Sequence, residues 1–420
     1  MDKNKDMVLD IHEKPSGIKW VGLSLQHMFS MFGSTVIVPL LVGLSPSIAL
    51  FASGIGTLLH ILITKGKIPA YMGSSFAFIT PMLALMKTTG ISGVQQGVIA
   101  VGVVYLIVAL LVWMLGTNWI DKLLPPIVVG PIVVVIGLSL AGAAAKDAMM
   151  KNGTYNLTYF LIAMATLFLA IFFNMKLKGF LGMIPVLLAI VCGYLISMAC
   201  GLVDLHAIAS APWFKVPEFQ LLATEKGFHF EWNAIIVMAP IAFVTMTEHM
   251  GHLMVLGELT NRNFFKEPGL NRTLAGDGAA SLAAGILGGP AVTSYGENIG
   301  VMAITKVYSV YVIIGAAIFA MIFSFVNKLN VLIMQMPLPV IGGISFLLFG
   351  TIASSGIKVM VDDKVDMGLK RNLMIASVIL VIGVGNAYLQ LGEFQFTGVA
   401  LATVIGIVLN QVLPKEDSKK

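Results

Sequence analysis

The chain has 420 residues, of which 57% are hydrophobic and only 11% are charged. Soluble proteins carry ~25% charged residues, so this composition excludes a disordered chain, a fibrous repeat and a secreted disulfide scaffold. The net charge of +5 is too sparse for a nucleic-acid-binding surface, and we interpret it as Lys and Arg in cytoplasmic loops.

Apolar runs of spanning length follow one another along almost the whole chain. A helix that crosses a bilayer needs ~20 apolar residues, so the sequence predicts an all-α polytopic membrane protein with fourteen transmembrane segments. The predicted segments are 18–42, 47–64, 76–88, 94–116, 125–144, 156–175, 180–200, 231–256, 272–288, 297–306, 307–326, 331–353, 372–391 and 397–414. The third and tenth are too short to cross alone. Each follows a stretch rich in Gly, Pro, Ser and Tyr, which predicts extended backbone there.

The distribution of positive charge predicts the orientation. If the N-terminus is inside and the segments alternate, 20 of the 26 Lys and Arg residues face the cytoplasm and six face outside. Cytoplasmic loops are enriched in Lys and Arg. Both termini are therefore predicted to be cytoplasmic.

The two halves of the sequence partly match each other at an offset of about 222 residues. Residues 26–28 align with 248–250, and Phe76 aligns with Glu297 after one gap. The glycine and proline pattern of 126–137 recurs at 339–350. Segments 1–7 thus correspond to segments 8–14, and the odd number makes the repeats inverted. Inverted repeats with interrupted helices are typical of transporters whose binding site lies at those helices.

Three acidic residues, Glu248, Asp277 and Glu297, fall within apolar segments, and such residues are candidates for function. Glu248 is deep in segment eight, and Glu297 stands where extended backbone meets a half-helix. His252 lies four residues after Glu248, so both share one helix face. A carboxylate beside an imidazole can hold a proton near neutral pH. The alternative for this pair is a structural interhelical hydrogen bond.

The remaining ionisable groups are interpreted more simply. Asp277 is near the predicted cytoplasmic start of segment nine, so we predict a solvated or capping residue. His60 is predicted to be interfacial, His249 to be a packing residue, and His27 to have a supporting role. His249 and His252 are three residues apart rather than the four of a helical zinc site, so no metal and no cofactor is expected.

Phe76 begins the third segment, which is a half-helix. An aromatic ring there can stack on a flat ligand or simply belong to the core. Half-helix N-termini also present free N–H groups, which suit a ligand rich in carbonyl oxygens.

Several motifs carry a family resemblance. Glu297-Asn298-Ile299-Gly300, followed after four residues by Thr305-Lys306, resembles the signature of the nucleobase–ascorbate transporter (nucleobase cation symporter 2) family. Residues 24–27, 66–78, 248–253 and 294–305 are similar to bacterial uracil permeases of that family. The resemblance extends from about residue 18 to about 413.

The resemblance implies fourteen spans in two inverted sets of seven, with a binding site between short strands of segments three and ten. It implies a cytoplasmic tail (1–17), a core domain (18–124 and, after an extracellular loop, 206–330), a gate domain (125–205 and 331–414) and a cytoplasmic tail (415–420). It also implies proton-coupled uptake of uracil by alternating access across the plasma (bacterial inner) membrane. The implied partners are uracil, a proton, membrane lipid and a second copy in a homodimer.

The resemblance further implies roles for individual residues. Glu248 and Glu297 hydrogen-bond the base, and His252 supports Glu248, with His27 also in support. Phe76 packs on the ring, and the backbone at Gly296 contributes. Purine carriers of the family usually have Gln at the position of Glu297, which favours a pyrimidine here.

Three alternatives remain open on the sequence. A xanthine or urate carrier is disfavoured by Glu297. An anion exchanger or channel is disfavoured because two acidic groups at the site would repel a permanent anion. A membrane enzyme would need a nucleophile or metal constellation, and the sequence displays none.

Overall fold

The structure is a computed structural model that describes residues 7–221, 229–391, 394–396 and 398–414. The predicted C-terminal tail (415–420), the first six residues of the predicted N-terminal tail and residues 222–228 of the predicted extracellular loop lie outside the described residues.

Helices dominate the described residues, as the apolar runs predict. In chain order they are α1 (Gly17–Val42), α2 (Pro46–Ile63), α3 (Ile79–Thr88), α4 (Gly90–Leu115), α5 (Asn118–Leu123), α6 (Pro126–Leu138), α7 (Ala141–Met149), α8 (Leu157–Lys176), α9 (Pro185–Ala199), α10 (Leu205–Ser210), α11 (Trp232–Thr260), α12 (Leu270–Leu287), α13 (Gly296–Thr305), α14 (Val310–Ser324), α15 (Asn327–Met334), α16 (Leu338–Asp362), α17 (Lys370–Val384) and α18 (Gly398–Val412). The strands are β1 (Met72–Ser74), β2 (Met150–Lys151), β3 (Thr154–Tyr155), β4 (Val292–Ser294), β5 (Leu389–Leu391) and β6 (Phe394–Phe396).

Seven helices of the described chain are long and apolar enough to cross a membrane. They span Gly17–Val42, Pro46–Ile63, Gly90–Leu115, Pro126–Met149 (α6 and α7 taken together), Leu157–Lys176, Trp232–Thr260 and Leu338–Asp362. Four shorter apolar helices accompany them, at Phe76–Thr88, Pro185–Ala199, Val310–Ser324 and Gly398–Val412. The predicted all-α polytopic class is therefore confirmed.

The predicted bounds of the twelfth segment, 331–353, are wrong. α15 is a separate short helix, and α16 starts after Pro337 and runs to Asp362. Proline lacks an N–H and favours the start of a helix over its interior. Within α16 the Thr351 and Ser355 hydroxyls donate to carbonyl oxygens of the preceding turn, at 2.8 and 3.0 Å, so these two polar groups are satisfied inside the helix.

The extended backbone predicted before the third and tenth segments is present as β1 and β4. These strands pair antiparallel, with Gly73 opposite Thr293, and all six of their residues are buried. The pairing is extended by Tyr295 N–H, which donates to the Tyr71 carbonyl at 3.0 Å. A Cβ at Gly73 would lie 2.4 Å from the Tyr295 ring, so this crossing requires glycine.

The helices pack in two groups. The strand region comprises α1–α4, α11–α14, β1 and β4, and the flanking region comprises α6–α9 and α16–α18. Contacts within each group repeat between the two halves of the chain. The correspondence takes α1 to α11, α2 to α12, α4 to α14, α6 to α16, α8 to α17 and α9 to α18. The matching pairs are α2–α14 with α12–α4, α1–α14 with α11–α4, α8–α9 with α17–α18, and α6–α17 with α16–α8.

Candidate functional site

A cavity of about 90 Å³ lies where the crossing strands meet the flanking region. A cavity needs only ~10–15 Å³ to hold one water molecule, so this one has room for a small ligand. Its walls are formed by Ser75, Phe76, Ala77, Val133, Ile136, Glu248, Thr293, Ser294, Tyr295, Gly296, Glu297, Leu348, Thr351 and Ile352. The polar residues come mainly from the strand region, whereas α6 and α16 supply a largely apolar wall.

Glu248 and Glu297 both border this cavity. Glu248 projects from the middle of α11, and Glu297 lies in the first turn of α13. A carboxylate is favourable there because the N-terminus of a helix is the positive end of its dipole. The Ser34 hydroxyl of α1 donates to Glu297 Oε1 at 3.2 Å. Two carboxylates facing one small cavity repel each other when both are ionised.

Phe76 lies two residues after the end of β1 and is half-buried beside the cavity. Its ring packs edge-on against Phe349 of α16, with ring centroids 6.4 Å apart and an interplanar angle of 78°. This is the T-shaped arrangement that aromatic pairs favour. Phe349 was not identified from the sequence, and it links Phe76 to the flanking region.

Gly296 is the first residue of α13, and its lack of a side chain admits His252. A Cβ at Gly296 would lie 2.8 Å from His252 Nε2. His252 Nδ1 lies 3.3 Å from the Ser294 hydroxyl oxygen. Within the described chain, no hydrogen bond joins His252 to Glu248, and His252 does not line the cavity. His252 thus lies behind the site, next to the strand that leads into α13.

His27 is fully buried in α1, away from the cavity wall. Its Nδ1 lies 2.9 Å from Asn298 Oδ1, and the Asn298 amide donates to the Pro69 carbonyl at 3.1 Å. His27 therefore contacts the half-helix that carries Glu297. The described residues contain no group of three or more His, Cys, Asp or Glu side chains arranged to hold a metal ion.

The comparisons with known proteins agree with the motifs. A model of the Permease family matches residues 18–392. The chain is 50% identical to a protein named uracil permease from Bacillus caldolyticus over 409 residues, 97% of this chain and 95% of that protein. It is 44% identical to the uracil permease of Escherichia coli K12 over 407 residues, 96% of this chain and 93% of that protein. The chain belongs to the Permease family. The predicted family resemblance is therefore confirmed.

Solved structures share this permease's fold at low sequence identity. The transmembrane domain of the cyanobacterial bicarbonate transporter BicA has a TM-score of 0.64 and 14% identity, covering 93% of this chain and 96% of that chain. SLC26A9 has a TM-score of 0.70 and 11% identity, covering 94% of this chain and 64% of that chain. These likenesses concern the fold alone. With the spanning helices, family membership makes the chain a multi-pass membrane transport protein.

One cluster of this permease was interpreted wrongly from the sequence. Asp277 and His60 are fully buried, not solvated or interfacial. Asp277 Oδ1 lies 3.0 Å from His60 Nδ1, and Asp277 Oδ2 lies 3.1 Å from His249 Nδ1. α12 lies against both α2 and α4. Gly276 permits that approach, because a Cβ there would meet His60 Nδ1 at 2.6 Å. In the sequence, the glycines on either side of Asp277 were the available signal that this segment packs closely against its neighbours.

Proposed function

We propose that this permease carries uracil and a proton together into the cell by alternating access. The observation that carries the proposal is the meeting of Glu248, Glu297 and Phe76 in one small cavity at the strand crossing. The near full-length similarity to proteins named uracil permease supports uracil as the substrate.

The chemistry of the cavity fits a planar base. Uracil presents two N–H donors and two carbonyl acceptors in one plane. An ionised carboxylate only accepts hydrogen bonds, whereas a protonated one also donates. Glu297 accepts a ring N–H, and Phe76 packs on the ring. The backbone N–H of Gly296, in the first turn of α13, donates to a uracil carbonyl oxygen in this proposal, because N–H groups in the first turn of a helix lack an intrahelical acceptor.

Glu248 carries the coupling proton in this proposal. Moving an uncompensated charge through the apolar interior is costly, and protonation of Glu248 removes one of the two negative charges facing the cavity. His252 and His27 act in support: the first contacts Ser294 and the second contacts Asn298, on either side of Glu297.

The architecture proposed for this function has fourteen spans in two inverted sets of seven. The matching helix contacts and the paired strands support it. The core domain (18–124 and 206–330) holds the polar site. The gate domain (125–205 and 331–414) supplies Val133, Ile136 and Leu348 to the cavity wall. We further propose a homodimer in the plasma membrane with cytoplasmic termini.

Two other classes of substrate, purines and anions, are alternatives to uracil. A xanthine or urate carrier is disfavoured because Glu297 stands where purine carriers of the family usually have Gln. An anion is disfavoured by the two carboxylates, although the fold resembles a bicarbonate transporter. An anion would be repelled by them unless both were protonated.

The test is uptake of radiolabelled uracil in cells that lack their own carrier, with xanthine and sulfate as competitors. The proposal expects saturable uracil uptake that neither competitor reduces. Uptake should fall as external pH rises and should drop when a protonophore collapses the proton gradient. Uracil uptake equal to that of empty cells, or uptake insensitive to both pH and the protonophore, would contradict the proposal.

A further inference from the structure

A continuous series of polar contacts runs behind the cavity through four elements. It starts at His60 on α2, passes to Asp277 on α12 and continues to His249 on α11. His249 Nδ1 also lies 2.8 Å from the Ser294 hydroxyl oxygen of β4, which in turn lies 3.3 Å from His252 Nδ1. The side chains of His60, His249 and Asp277 have no solvent exposure.

This series touches both halves of the proposed site. His249 follows Glu248 directly on α11, and Ser294 precedes Glu297 by three residues. Ser294 also lines the cavity and pairs with Met72 across the strand crossing. The position of the Ser294 hydroxyl therefore depends on α11, through its contact with His249. The strand that carries Ser294, β4, also determines where α13 begins.

A buried carboxylate is stable only where partners compensate its charge. Asp277 has two, His60 and His249, which approach its two oxygens from different helices. Removing His60 leaves Asp277 dependent on His249 alone. We expect His249 then to shift toward Asp277 and away from Ser294, because the same Nδ1 atom contacts both residues.

We propose that His60, Asp277 and His249 form a positioning unit that fixes the Ser294 hydroxyl and thereby sets the relative placement of Glu248 and Glu297 for uracil. The inference rests on the proposed function. None of the three side chains of the unit lines the cavity, so the unit acts through Ser294 rather than by contact with the base.

The test is a double-mutant cycle between His60 and Ser294, read as the equilibrium Kd of uracil on purified protein. His60→Ala and Ser294→Ala should each raise the Kd about tenfold, the size of effect expected when a buried polar group loses its partner. The double variant should also be weakened by about tenfold rather than a hundredfold, because both changes disrupt one unit. The rate of uracil exchange at saturating uracil concentration should change little.

Two further variants keep the result interpretable. His60→Asn retains a side-chain N–H near the position of Nδ1 and should bring the Kd back to within about threefold of wild type. His60→Leu keeps the bulk of the side chain but has no polar atom, so it replaces His60→Ala in the cycle if the latter does not fold. Ser197→Ala removes an equally buried hydroxyl from α9 in the flanking region and should leave the Kd unchanged.

A purely structural role predicts different results. The thermal midpoint would fall in the His60 variants while the Kd of the folded protein stays at the wild-type value, or the two Kd effects would multiply in the double variant. Either result would overturn the positioning unit. Wild-type protein that binds no uracil would overturn the proposed function as well, so the two failures are distinguishable.

Discussion

The strand region and the flanking region bury different kinds of polar group. The strand region encloses imidazoles, a carboxylate and side-chain amides, namely His27, His60, Gln95, His249, Asp277 and Asn298. In the described part of the flanking region, the buried polar groups are hydroxyls, those of Thr166, Ser197, Ser345 and Thr403 and the phenol of Tyr194. Polar contacts of imidazole, carboxylate and amide groups are directional and hold side chains in one geometry, which a recognition site requires.

Close backbone approach occurs in both regions: in the strand region a Cβ at Gly102 of α4 would lie 2.7 Å from the Gly278 carbonyl oxygen of α12, and similar approaches hold the flanking region together. A Cβ at Gly137 of α6 would lie 2.4 Å from the Phe349 carbonyl oxygen, and one at Gly356 would lie 2.5 Å from the Gly130 carbonyl oxygen. Towards the cavity, this region presents the apolar side chains of Val133, Ile136 and Leu348. An apolar wall can shift past a fixed polar site without breaking hydrogen bonds. The contrast therefore supports one region that binds and another that moves.

The largest effect is expected from Glu248→Gln, which makes the residue permanently neutral. The variant should retain uracil binding and exchange but lose accumulation, so that the internal concentration only reaches the external one. The paired measurement is equilibrium binding and active uptake in the same preparation. Glu258→Gln, at an exposed position of the same helix, should accumulate uracil normally. If Glu248→Gln concentrates uracil with wild-type pH dependence, the coupling proton is on another residue, with Glu297 or His252 the next to test.

Glu297→Gln should weaken uracil binding or shift selectivity while leaving the fold intact. A hydrogen bond to a charged group contributes ~1.5–3 kcal/mol, so the Kd of uracil should rise by ~12–150-fold. Competition by xanthine measures the change in selectivity. The control is Glu267→Gln, whose carboxylate is exposed and paired with Lys67 at the surface; it should bind as wild type. Unchanged binding and competition in Glu297→Gln would remove that residue from the site.

The flanking region can be perturbed at a residue that does not itself line the cavity, although Gly137 follows the wall residue Ile136. Gly137→Ala must push α6 away from α16, because the added Cβ has no room. Overpacking of this kind costs ~1–3 kcal/mol, so the thermal midpoint and the transport rate should fall while the Kd of uracil stays the same. Gly142→Ala on α7 meets no atom within 4 Å and should change none of these. A raised Kd in Gly137→Ala would show that the apolar wall supplied by α6 and α16 contributes to the affinity for uracil as well as to movement.

The sequence predicts much of this structure because its strongest signals are local. Apolar runs identify helices, and Gly, Pro, Ser and Tyr before two short runs identify the crossing strands. The motif around Glu297 points to the cavity. Contacts between distant residues left no such signal. Ser34 and Glu297 are 263 residues apart, and the burial of Asp277 depends on how α12 packs against α2 and α4. A charged residue near a predicted helix end is ordinarily solvated, so only the packing reveals its partners.

The smallest effect concerns Phe76, which joins the two regions by its contact with Phe349. Phe76→Leu keeps an apolar side chain but removes ring stacking, which contributes ~0.5–1.5 kcal/mol; the Kd of uracil should therefore rise by ~2–12-fold. Phe78→Leu is the matched control, since Phe78 lies in the same turn but is fully buried in the core. That variant should lose stability with little change in Kd. Equal Kd values for Phe76→Leu and wild type would mean that the ring belongs only to the contact between regions. In that case uracil is held by polar groups of the strand region alone, and the two regions differ even more sharply in their contribution to binding than proposed.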